Sequence, residues 1–547
     1  MPSFLETIPY EVLLLITQRI PRKTDVRSFC QTCKSIYAIA ARVLYEEFFI
    51  DLDKSKPPWL RAFANDMNPG VPFIKTVVVF GGEQDSEGFN IDVRGRLARA
   101  MWSFPINRLR GFRHDNGRSF KPELYLNLLA HQRNIKHVYA DPMCALLNSK
   151  TYPLIRSVEH LQIDVWDEDL HQPKGEQAEN QERPSFSQLK LLQFGYNGDE
   201  SPSNLLGERL VELCINRCLQ FTGRQGTNLN WLYLDNIPLE GNIEAWTSAI
   251  NFSNLERLEI TRCYGMHGLI RALTTHFSEG DSKLKGLTLL EEVGAAGVND
   301  DSEEEHRSRK RNDLKALLDT LSGLQELSLC LGILDRQLTS YIFEKHGTSL
   351  KQIVFDELTA GLNRSRVGLM PYPIIKAPLQ QLAAHLNHSL SAADVRENEL
   401  LFSEIYRLAY HFPQLRTLRL LDMLHCWLAF RIDIYEHQRQ CISIHYEDPQ
   451  DLQYAANRIF EIFEAVAVME GRQSRLQIVA FAPSFTSTLF GLSKRDQAFY
   501  FLKDNVQHIR GGLLEAECTL SRKPWEIRCH EQESNILEWP SRDITPG

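Results

Sequence analysis

Residues 255–260 read LERLEI, with apolar side chains at Leu255, Leu258 and Ile260. Leu258 and Ile260 stand two apart, so in an extended chain they share one face, with Arg257 and Glu259 on the other. The pattern L-x-x-L-x-L, other apolar residues sometimes replacing Leu, recurs at Leu189-x-x-Leu192-x-Phe194, Leu229-x-x-Leu232-x-Leu234 and Leu284-x-x-Leu287-x-Leu289. It continues at Leu324-x-x-Leu327-x-Leu329, Leu350-x-x-Ile353-x-Phe355, Leu415-x-x-Leu418-x-Leu420 and Leu476-x-x-Val479-x-Phe481, with weaker versions starting at Ile74, Ile106, Ile135 and Val158.

Several starts lie 23 to 32 residues apart, the shortest from Ile135 to Val158 and the longest from Ile74 to Ile106. Helix-like segments fall between, such as Asp313 to Leu321 with Leu314, Leu317, Leu318 and Leu321 on one side. One strand and one helix cannot close a core alone, but stacked neighbours can. This part resembles the irregular leucine-rich repeats of fungal proteins. It predicts a curved β/α solenoid with a parallel sheet over residues 71–515. The Asn or Cys that usually follows the strand is mostly absent, though Cys263 falls there. An unrelated α/β domain with buried strands of the same pattern is the alternative. Two polar stretches, 166–186 and 291–313, read as flexible inserts, and 516–547 as a C-terminal tail.

The N-terminus carries a different pattern. In "IPYEVLLLITQRIP", Pro9 suits a helix start and Glu11 complements the helix dipole. Ile8, Val12, Leu13, Ile16 and Ile20 form a stripe that Leu14 and Leu15 widen beyond one face. A second helix follows Thr24 or Asp25 with Val26, Phe29, Cys30 and Cys33 at helical spacing, and a third carries Ile36, Ile39, Ala40, Val43 and Leu44. Three short helices in so few residues bury too little surface to stand comfortably alone.

Residues 4–50 resemble an F-box on the strength of Ile8-Pro9-x-Glu11-Val12-Leu13-x-x-Ile16, Asp25-Val26, Cys33-Lys34-x-x-Tyr37 and Leu44-Tyr45. Ile8 departs from the commoner Leu but keeps the apolar character. The expected class is α/β: a three-helix F-box, a linker over 51–70, then the repeat solenoid. The resemblance implies that Ile8, Pro9, Val12, Leu13, Ile16, Ile20, Val26 and Phe29 bind a Skp-type adaptor, which links to a cullin. The Cys30-x-x-Cys33 pair lies on the apolar stripe with no second pair to complete a metal site, so both sulfurs are expected in the core.

Composition limits the alternatives. Hydrophobic residues make up 43% of 547 and charged residues 24%, the balance of a folded chain. A net charge of -9 argues against a nucleic-acid partner. No apolar run reaches the roughly 18 residues of a membrane span, and Glu11 interrupts the N-terminal run where a signal peptide would be unbroken. An intracellular location, cytoplasmic or nuclear, is expected, and Arg307-x-Arg309-Lys310-Arg311 reads either as a nuclear signal or as a plain solvated stretch. No phosphate-cradling, dinucleotide, zinc-protease or nucleophile-elbow motif occurs, and no cofactor is expected.

The F-box and repeat resemblances imply a non-catalytic substrate receptor of a cullin-type ubiquitin ligase, its repeats capturing a protein target. A scaffold without a ligase role and an enzyme hidden in the α/β body are the alternatives. Between the leucines of each strand the side chains point away from the core. Trp231, Tyr233, Asp235, Arg257, Glu259 and Arg419 are therefore the expected target-binding residues, with Thr261, Thr288, Glu326 and Ser328 beside them.

Overall fold

The computed structural model describes residues 8–18, 20, 23–51, 70–80, 104–114, 122–140, 158–165, 188–196, 229–239, 243–278, 280, 282–291, 302–357, 376–384, 399–421, 449–482, 499–508 and 514–521. The expected insert at 166–186 and most of the 51–70 linker lie outside them. The chain divides into two compact units, Met1–Leu255 and Glu256–Ile544.

The first unit opens with three helices, α1 (Tyr10–Gln18), α2 (Lys23–Cys30) and α3 (Lys34–Leu44). Val26, Cys30, Ile36 and Ala40 form a small buried core that Ile20, Phe29, Cys33 and Leu44 pack against. The first strand, β1 (Glu47–Asp51), begins inside the segment assigned to the helical domain, so the boundary at residue 50 is corrected: the sheet starts at Glu47. It pairs in parallel with β2 (Thr76–Phe80), and the ladder continues through β3 (Gly111–His114), β4 (His137–Ala140), β5 (His160–Val165), β6 (Leu191–Tyr196) and β7 (Trp231–Asp235). Helices α4 (Pro122–His131) and α5 (Ile243–Ala249) belong to this unit.

The second unit repeats the module more regularly. Strands β8 (Arg257–Thr261), β9 (Gly286–Leu290), β10 (Glu326–Leu331), β11 (Gln352–Glu357), β12 (Gln381–Ala384), β13 (Thr417–Leu421) and β14 (Ile478–Ala482) pair in parallel. Between them run α6 (Met266–Ser278), α7 (Ser302–Thr320), α8 (Arg336–His346), α9 (Glu399–His411) and α10 (Pro449–Met469). Strands β15 (Phe499–His508) and β16 (Leu514–Ser521) then add antiparallel. This is an open, solenoid-like α/β arrangement.

The leucine pattern places the core as expected. In the eight strong repeats the three patterned apolar residues are each at most 1% exposed. A buried Leu contributes roughly 1.5–3 kcal/mol before chain entropy is subtracted. The residue ahead of each strand extends the ladder: Lys285 N donates to Glu256 O (2.8 Å), Gln325 N to Lys285 O (2.7 Å) and Lys351 N to Gln325 O (2.8 Å). Asn236, in the left-handed region at φ 54°, donates its Nδ2 to Tyr196 O at 3.2 Å. This is the kind of end-of-strand bond whose consensus residue the sequence mostly lacks.

Four expectations are corrected. Ile106 is 67% exposed, and the pattern at β3 instead runs Leu109-x-x-Phe112, both buried. Between the repeats at Leu350 and Leu415, which the sequence pattern leaves 65 residues apart, lies a further strand, β12, with buried Leu379 and Leu382. The C-terminal boundary at 515 falls inside β16. Finally, residues 302–313 of the expected flexible insert are the opening turns of α7, whose alternating charges pair with each other and with neighbouring elements. Arg309 pairs with Glu305 (3.2 Å), Lys310 with Glu291 (2.6 Å) and Arg311 with Asp335 (2.9 Å). Such a charge pattern in sequence fits a solvated helix face as well as a loop.

Candidate functional site

Helix α1 divides into three stripes because successive residues turn about 100°. Leu13 and Thr17 point inward at 3% and 0% exposure, and Thr17 Oγ1 donates to Leu13 O at 2.7 Å. Tyr10, Leu14 and Gln18 line a cleft. Val12, Leu15 and Ile16 stand opposite that cleft at 43%, 59% and 42% exposure. A helix of nine residues thus leaves three large apolar side chains in water.

The eight expected adaptor-binding residues separate accordingly. Pro9, Val12 and Ile16 are exposed, and Ile8 is half-buried. Leu13 and Val26 are buried, and Ile20 and Phe29 pack against the α2–α3 core. Leu13 and Val26 are closed off inside the helices, while Ile20 and Phe29 keep part of their surface exposed. The residue missed by pattern reasoning is Leu15. The widening of the stripe by Leu14 and Leu15 was the signal: Leu14 turns to the cleft and Leu15 to water. The Cys30 thiol sits in the core as expected, where burial pushes its pKa up.

The expected target residues fall in both units. In β7, Leu232 and Leu234 are fully buried while Trp231 and Tyr233 are half-buried, which is the expected register. Asp235, however, is only 6% exposed. Nearby on the same sheet face, His137 and His160 meet Nδ1 to Nδ1 at 2.9 Å. Burial lowers both pKa values, outweighing the nearby Glu159.

In the second unit the face is filled by its own side chains. Glu259 is 7% exposed, Arg419 4%, Thr261 6% and Ser328 5%. Arg257 reaches across Gly286 to pair with Glu326 two strands away and holds Glu259 at 3.1 Å. Gly286 makes the crossing possible: a Cβ there would stand 3.2 Å from Arg257 Cγ. Arg257, Glu259 and Arg419 are therefore corrected from open contact residues to parts of the sheet's own packing. The reason is strand spacing: about 4.8 Å between neighbours lets long side chains cover one another.

Among the described residues no group of three His, Cys, Asp or Glu could hold a metal ion, and no helix is long and apolar enough to cross a membrane. No family model and no curated protein matches the chain. Among solved structures it is similar to one described as the crystal structure of Rad7 and Elc1 complex in yeast. The TM-score is 0.31 and the identity 11%, over 75% of this chain and 88% of that chain. At that TM-score the likeness decides neither fold nor function.

Proposed function

We propose that the chain is a substrate receptor of a cullin-type ubiquitin ligase. Its N-terminal helices act as an F-box that binds a Skp-type adaptor, and its repeats hold a protein target. The observation that carries the reading is the apolar face of Val12, Leu15 and Ile16 on α1. A fold that buries its repeat leucines almost completely leaves these three in water, as expected of a face that another protein covers. In this reading the chain is not itself an enzyme and needs no cofactor. It raises the effective concentration of a target lysine near a charged conjugating enzyme.

The test is affinity purification of the full chain beside Val12→Asp and Ile16→Asp variants. Deleting residues 1–50 is a poorer control, because β1 begins at Glu47 and the cut would strip a sheet edge. Adaptor and cullin should co-purify with the unaltered chain and be lost from both variants. Adaptor without cullin would mark a scaffold instead, and adaptor retained by both variants would end the F-box reading.

A further inference from the structure

The residues that enter the strands of the first unit stack rung on rung. Arg110 N donates to Lys75 O (2.7 Å), Lys136 N to Arg110 O (2.7 Å) and Glu159 N to Lys136 O (2.8 Å). Most charges on this ladder are compensated. Lys75 pairs with Glu46 at 2.6 Å, and Lys136 and Lys190 share Glu159, whose carboxyl their hydrogen bonds hold down at about 2. Arg110 is the exception. It is exposed, stands between two lysines, and has no ion-pair partner among the described residues. Like charges on adjacent rungs repel, so nothing in the sheet's own stability calls for an arginine there.

Arg110 opens onto a cleft of about 650 Å³. Five cations, Arg42, Lys75, Arg108, Arg110 and Lys136, face a single carboxylate, Glu46, in a chain of net charge -9. The remaining wall includes Tyr10, Leu14, Val43 and Phe73. Arg42 and Arg108 are held in place. Arg42 donates to Tyr10 Oη at 2.7 Å and lies over the Tyr10 and Phe73 rings at 5.5 and 5.7 Å. Arg108 Nε donates to Pro72 O at 3.1 Å, leaving its terminal nitrogens without a partner among the described residues. Behind Arg108, fully buried Gln132 accepts from Arg108 N (2.8 Å) and Leu109 N (3.0 Å) and donates to Pro105 O (2.9 Å). Asn107 holds a left-handed φ of 58°, its Oδ1 accepting from Arg133 N at 2.8 Å. A non-glycine residue in that region is uncommon, and here it helps fix the segment that presents both arginines.

We propose that this cleft binds a short acidic peptide segment of a partner protein. Its carboxylates meet Arg108 and Arg110, and an apolar side chain lies on the Tyr10–Leu14–Phe73 wall. On the receptor reading above, that segment belongs to the captured target. The mixed lining favours a peptide, since a compact polyanion would leave the apolar wall uncovered. A nucleic-acid backbone would run onto Glu46 and Glu159, which bound the cationic rungs on either side. Those rungs, from Lys75 to Lys136, span about 10 Å at strand spacing, room for a few residues. The cleft stripe of α1 lies opposite Val12 and Ile16, so adaptor and peptide can be held together.

The experiment uses the full chain and a fluorescein-labelled peptide of Glu residues with one Phe, read by anisotropy. The peptide should bind at low salt and weaken as salt rises, and the same peptide with Gln for Glu should not bind. Arg110→Glu should weaken binding about tenfold, while Lys351→Glu, an exposed cation of the second unit, should leave it unchanged. Equal binding of the Gln peptide, or unchanged binding in Arg110→Glu, would overturn the proposal. So would tripolyphosphate or oligouridylate binding more tightly than the Glu peptide. Ile16→Asp separates the two readings: adaptor lost with peptide kept supports both, adaptor retained overturns the F-box reading alone, and peptide lost overturns the peptide site alone.

Discussion

Helices α1 and α6 are both short and amphipathic, and they dispose of their apolar side chains in opposite ways. α6 buries Met266, Leu269, Ile270, Leu273 and Phe277. Even its polar residues find partners in its own unit: Arg271 pairs with Asp313 at 3.5 Å, and His267 lies 3.5 Å from Glu291. α1 buries Leu13 and leaves Val12, Leu15 and Ile16 exposed. Spacing alone does not separate these cases, because both helices carry apolar residues at i, i+3 and i+4. What separates them is whether the rest of the chain supplies a surface to cover the stripe. α6 is closed by its neighbours, and the outer stripe of α1 is not.

The comparison breaks most visibly at Leu273. It is fully buried, so Leu273→Ala should cost about 3 kcal/mol from lost burial plus cavity, read as a lower urea midpoint at unchanged slope. A cost under about 1 kcal/mol would mean that α6 is loosely packed and the contrast with α1 is one of degree. Leu13→Ala should cost about 2 kcal/mol, confined to the N-terminal helices and visible as faster amide exchange in α1 and α3. This residue was expected at the adaptor interface. If exchange in α3 stays unchanged while adaptor binding is lost, the inward assignment of Leu13 is wrong.

The polar rim of α6 gives a smaller effect with a pH signature. Burial raises the Glu291 pKa, but His267 and Lys310 outweigh it and bring the value to about 2 from 4.5. Glu291 also accepts from Gly332 N at 3.2 Å. A carboxylate whose folded pKa is depressed adds stability above its unfolded pKa and loses it as pH falls through the folded value. Glu291→Gln should therefore cost about 1.5 kcal/mol at neutral pH. The gap to the unaltered chain should close between pH 4.5 and about 2. A gap that persists at the acid end would show that the carboxylate charge is not what Lys310 needs.

The repeat strands were legible because their signal is redundant: three apolar residues at fixed spacing, copied along the chain, each reporting the same face. Charged segments were not. The stretch 302–313 reads as solvated loop until Glu291 and Asp335, distant in sequence, are seen to pair with Lys310 and Arg311. The sheet face misled for a related reason. Alternation correctly put Glu259 and Arg419 opposite the leucines, but exposure there depends on what the neighbouring strand offers, and Gly286 in the adjacent repeat let Arg257 lie across it. The cationic cleft could not be read at all, since Arg42, Lys75, Arg108, Arg110 and Lys136 come together only when the strand entries stack.

The smallest effect on stability should come from Ile16→Asp, and it decides most about function. Ile16 is 42% exposed on the stripe opposite the cleft, so the substitution removes little burial and places a charge in water. Surface changes of this kind stay within about 0.5 kcal/mol. If a partner covers the stripe, the same charge becomes buried and unpaired in the complex, at a cost of several kcal/mol. Binding to the Skp-type adaptor should then fall by at least a hundredfold, about 2.7 kcal/mol, with the urea midpoint unmoved. Leu15→Asp, missed by the sequence pattern but more exposed than Ile16, should behave the same way. Val12→Asp, one turn before Ile16, should match both. Three substitutions on one stripe, silent in folding and severe in binding, would distinguish an uncovered interface from a poorly packed helix. If they lower the urea midpoint instead, the stripe is covered by this chain itself and the contrast with α6 disappears.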